Sequence, residues 1–109
     1  MENNVKPILE EWEKLIDVLS SDEEKLKKTK RYYDDREMDI IMNTDFNKIY
    51  NKNNDKVRKH HIRKKLKNTS EQKEQLELKI EDSKRRISFL KASAYAEIEL
   101  MKYKFGGGE

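Results

Sequence analysis

Apolar residues recur every seven positions through the first 40 residues: Val5, Trp12, Leu19, Leu26, Tyr33 and Ile40. A second, denser apolar line runs from Ile62 to Phe105. A seven-residue apolar repeat suits a helix that packs lengthwise against another helix, because every second turn returns the same face to the partner. Alternation with period two, the mark of a half-buried strand, is absent. The pattern therefore predicts an all-α chain built as a long antiparallel helical hairpin, a coiled coil.

Composition supports this. Of the 109 residues, 43% are charged and 34% hydrophobic, a balance typical of long exposed helices rather than a conventional globule. At this length a single helical domain is expected. The chain has no cysteine, which excludes disulfides, thiolate metal sites and thiol catalysis. The N-terminal residues mix acids with apolar side chains, unlike a signal peptide, and no apolar run approaches the roughly 20 residues of a membrane span. A soluble protein of the cytoplasm is the expectation.

Pro7 suits a helical first turn, where its missing N–H costs nothing, and residues 1–6 are expected to fray. Ile8, Leu9, Trp12, Leu15, Ile16 and Leu19 then make a wide apolar stripe. Ser21 with Glu24 fits a capping box, but the seven-residue spacing from Leu19 to Leu26 favours a continuous or slightly kinked helix. The first arm is placed at about 7–42. Asn43-Thr44-Asp45 offers a stop and a new N-cap, Phe46, Ile49 and Tyr50 one helical turn, and Asn54 a further cap. Residues 43–54 are thus the expected reversal, and a second arm follows at about 55–105. Asn68-Thr69-Ser70 is the one weak point in the second arm, where Thr69 with Gln72 fits another capping box and would allow a bend. Gly106-Gly107-Gly108 ends the helix, leaving a flexible tail at 106–109, native or an expression remnant.

From Pro7 to Met42 a helix runs about 54 Å, and residues 70–105 match that length. Two helices alone bury little, and Trp12, Leu15, Ile16 and the Ile98–Phe105 end are more apolar than one seam requires. Dimerisation into a helical bundle, or a protein partner, is expected. The candidate interface residues are Trp12, Leu19, Ile87, Leu90 and Ile98.

The net charge of +3 conceals segregation: −4 over residues 1–50, +7 over 51–67 and zero over 68–109. In the basic segment Lys56, Lys59, Arg63 and Lys67 share one helical face by their spacing. That strip is a candidate contact for nucleic-acid phosphates or for an acidic partner, with Phe46 and Tyr50 near enough to stack on bases. The competing reading is a solvated face paired with the acidic N-terminal half. No helix-turn-helix or zinc-finger pattern accompanies it.

Neither metal nor cofactor is expected. His60 and His61 are adjacent, so on a helix they point about 100° apart and cannot readily chelate one ion. Asp35 and Asp39 are four apart, but a lone carboxylate pair is common on helices. Lys73 and Ser83 interrupt the second seam. No nucleophile–base pair or phosphate loop is present, and a non-enzymatic binding role is expected.

The stretches Tyr32-Tyr33-Asp34-Asp35-Arg36-Glu37, Thr44-Asp45-Phe46, Asn53-Asn54-Asp55-Lys56-Val57-Arg58-Lys59 and Arg85-Arg86-Ile87-Ser88-Phe89-Leu90-Lys91 resemble small coiled-coil proteins encoded by phages and prophages of Gram-positive bacteria. The resemblance covers about residues 8–100. It implies a bacterial cytoplasm and a phage-related role. Small phage proteins of this type often bind a host or phage protein to redirect replication, recombination or defence. The resemblance brings no catalytic residues with it. The expected function is therefore a helical interaction protein, an inhibitor or adaptor, that binds a protein target in nucleic-acid metabolism or host defence. The alternative is a direct DNA- or RNA-binding protein using residues 52–67.

Overall fold

The structure, a computed structural model, describes the backbone of residues 4–106 and the side chains of residues 4–104. The Phe105 side chain and the tail residues 107–109 lie outside the described residues. Helix accounts for 92% of the described residues and strands are absent among them, so the chain is all-α as its periodicity predicts. Four helices follow in order: α1 (Val5–Asn43), α2 (Phe46–Tyr50), α3 (Asp55–Lys65) and α4 (Lys67–Gly106). The two long helices, α1 and α4, are in contact and form a helical hairpin. The chain divides into two compact units, one made of residues 1–23 and 78–109, the other of residues 24–77.

In the first unit α1 begins at Val5, inside the segment expected to fray, and Val5 is buried. Pro7 falls in the first turn, where the backbone N–H has no intrahelical acceptor in any case. Covered positions on α1 include Val5, Ile8, Trp12, Leu15, Leu19 and Asp22, at alternating intervals of three and four. On α4 they include Ile80, Ser83, Ile87, Leu90 and Ala94, in the same rhythm. These are the a and d positions of two seven-residue repeats, which sit where helices interlock knobs into holes. Every second position of the α1 seam belongs to the line visible in the sequence. The alternate positions include Asp22, a carboxylate where an apolar residue is usual. The capping box at Ser21 and Glu24 goes unused, because α1 passes through it unbroken and Asp22 packs on the seam.

In the second unit local hydrogen bonding sets the breaks. The Asp45 side chain accepts from the Lys48 N–H at 3.1 Å and caps α2. Asn51 ends α2 in the left-handed region (φ 56°), which asparagine tolerates better than most residues, and its N–H donates to the Asn47 carbonyl. Asn54 then caps α3 by accepting from the Val57 N–H at 3.0 Å. The helix is interrupted at Leu66, three residues before the capping-box pair at Thr69. There the Leu66 N–H still reaches the Ile62 carbonyl (2.8 Å), and the Ser70 N–H reaches the Leu66 carbonyl (2.9 Å). These two bonds flank the break on either side, and Thr69 lies inside the first turn of α4 rather than at its start. Phe46, Ile62 and Leu66 are buried and form the apolar centre of this unit.

Candidate functional site

The basic helix α3 is held from beneath by an aromatic cluster. His61 is only 7% exposed, and its Nδ1 lies 2.7 Å from the Tyr50 hydroxyl. Phe46 and Tyr50 both meet the imidazole edge-on, with centroids 5.4 Å and 5.5 Å away. Burial pushes the His61 pKa below its ordinary value, and the positive charges of Lys65, Lys64 and His60 push the same way. Both causes favour the neutral ring, whose Nδ1 shares a hydrogen bond with the Tyr50 hydroxyl. His60, one residue earlier, is exposed. The pair thus divides into a packing residue and a surface residue. Among the described residues no three His, Cys, Asp or Glu side chains are grouped to hold a metal ion. Asp35 and Asp39 are exposed, and Asp39 lies 3.8 Å from Arg36.

With Ile62, His61 and Leu66 turned inward, the exposed flank of α3 next to them is cationic. Lys56, Lys59 and Arg63 lie along it and are exposed, and Lys67 continues the strip at the start of α4, just past Leu66. None of the four forms an ion pair with a described residue. The electrostatic pairing that would make the strip an ordinary solvated face is therefore missing within the described chain. Arg58 behaves differently. It is half-buried and bonds the Asn53 side chain at 2.6 Å and the Asp55 carboxylate, tying the start of α3 to the preceding loop.

The candidate interface residues of the first unit separate by burial. Leu90 is 2% exposed and belongs to the core between α1 and α4. Trp12, Leu19 and Ile87 are half-buried along the same seam, and Ile98 is exposed at 38%. One bidentate ion pair spans the two helices: the Arg86 guanidinium donates to both oxygens of Glu11, at 2.8 Å and 3.1 Å. The hydrogen bond to Arg86 holds the Glu11 carboxyl below its usual range, and the same bond raises Arg86. This pair marks one flank of the seam. Leu9 and Ile16 sit about 160° and 140° round α1 from Glu11, on the opposite flank. They are 47% and 46% exposed, beside the half-buried Trp12.

Sequence reasoning places Trp12, Leu15 and Ile16 in excess of one seam, and takes Leu9 only as a member of the wide stripe. The place of Leu9 and Ile16 next to the seam rather than on it is the signal that separates them. The Glu11–Arg86 pair spans 75 positions and leaves no local trace in the sequence. Comparison with protein-family models, curated proteins and solved structures found no match to the chain.

Proposed function

We propose that the protein is a non-enzymatic helical interaction protein of the phage-encoded kind. It acts in the cytoplasm of a bacterial host as an inhibitor or adaptor of a protein target in nucleic-acid metabolism or host defence. The observation that carries this reading is the apolar flank of α1. Leu9 and Ile16 stand largely in solvent, and Trp12 next to them is only partly covered. A rigid helix presenting aliphatic residues around a tryptophan has the make-up of a binding hot spot. It is also the complement of a helix-in-groove partner. No helix among the described residues is long and apolar enough to cross a membrane, so a membrane does not account for this flank as a spanning surface.

The test is capture from bacterial lysate with the tagged full chain, beside a Leu9→Glu/Ile16→Glu variant. Both positions are solvent-facing, so the variant should keep its helical circular dichroism. One protein identified by mass spectrometry, held by the wild type and released by the variant, is the expected result. A target held equally by both would remove the flank from the account.

A second reading has its own observation in support. The cationic strip of Lys56, Lys59, Arg63 and Lys67 has no ion-pair partner among the described residues, as a phosphate-binding surface requires. Direct DNA or RNA binding would then be dominated by counterion release and would weaken steeply with salt.

A further inference from the structure

A second apolar stripe runs along the outside of α4. Phe89, Ala92, Ala96, Leu100 and Tyr103 are all exposed, and each lies about 140° to 180° round the helix from Ile87 on the seam. These residues are therefore turned away from α1 in the same unit. Their intervals are three, four, four and three, a spacing that reads the same in both directions about Ala96. A two-fold axis requires such a surface, since one patch must complement itself. With an antiparallel copy crossing at Ala96, the aromatics Phe89 and Tyr103 face each other, Ala92 faces Leu100, and two alanines meet at the centre. The Arg86 guanidinium, held by Glu11, sits 5.0 Å from the Phe89 ring centroid and fixes that ring at one end of the stripe.

We propose that the outer face of α4 is where a second copy of this chain docks, antiparallel, with the two-fold axis at Ala96. The proposal is independent of the docking flank on α1, because it uses a different face of a different helix.

Because the chain has no cysteine, Ala96→Cys introduces a unique thiol at the axis. Under mild oxidation at micromolar concentration it should give a covalent dimer rapidly and nearly completely, since symmetry brings the two sulfurs together. Ala92→Cys, facing Leu100, should not. Sedimentation of the wild type should show a dimer. Leu100→Glu, at an exposed position, should keep the helical signal and weaken self-association by about a hundredfold, a buried leucine being exchanged for a charge. A wild-type monomer under these conditions would overturn the proposal. So would equal cross-linking at positions 92 and 96, which marks a parallel dimer. A dimer insensitive to Leu100→Glu but broken by Ile16→Glu would move the interface to the α1 flank and equally overturn it.

Discussion

The Tyr50 hydroxyl and the His61 Nδ1 are 2.7 Å apart, and this hydrogen bond joins the one-turn helix α2 to the basic helix α3. Tyr50→Phe removes the hydroxyl and leaves the imidazole nitrogen with no bonding partner from that side. The expected loss is about 1 kcal/mol in denaturant unfolding, the net worth of one such bond. An unchanged midpoint would mean that aromatic packing alone holds the elbow.

The same pair makes stability depend on pH. The His61 pKa is lowered in the folded chain, chiefly by burial. The unfolded chain therefore binds the proton more readily. The contribution of neutral His61 is fully present above its ordinary pKa of about 6.5 and is lost as the pH falls from there toward the folded value. Thermal midpoints should accordingly fall between neutral and mildly acidic pH. His61→Gln should flatten that part of the profile, and an equally steep profile in the variant would assign the effect to other groups.

Burial separates two residues that the sequence treats alike. Leu90→Ala empties a site that is 2% exposed and should destabilise the chain by about 2–5 kcal/mol. Ile98→Ala, at 38% exposed, should cost less than about 1 kcal/mol. Equal losses from both would mean that Ile98 is covered in solution.

Asp22 offers a gain. It occupies a seam position on α1 and is buried, yet no side-chain oxygen among the described residues is both fully covered and unbonded, so its carboxylate keeps contact with water at the edge of the seam. Asp22→Leu replaces that carboxylate with the residue type the repeat calls for and should raise stability by about 1 kcal/mol. A loss of stability would show that the carboxylate has a structural partner.

How much of this was legible beforehand follows from the range of each interaction. The helical class and the seam through Trp12, Leu19 and Ile87 depend on spacing within one helix, which a sequence displays directly. So do the caps at Asp45 and Asn54, each bonding an N–H three residues onward. The break at Leu66 falls three residues before the capping-box pair Thr69 and Gln72, at a buried leucine whose spacing alone gives no sign of it. The burial of His61 was missed in part because its partner Tyr50 lies across a loop, in another helix. The outer stripe of α4 has a clear spacing, but it is visible only once Ile87 and Leu90 have been assigned to the opposite side.

The most direct test of the central claim is titration of the wild type with DNA and RNA at physiological salt, beside a variant carrying Lys56→Glu, Lys59→Glu, Arg63→Glu and Lys67→Glu. Lysine, arginine and glutamate are all good helix formers, so the variant should keep its helices. The account of a protein-docking scaffold predicts weak binding by the wild type and little further change in the variant. Tight wild-type binding that the four substitutions abolish, with a log–log salt slope of about −3.6 for four phosphate contacts on duplex DNA, would contradict it and make the basic face of α3 the functional site.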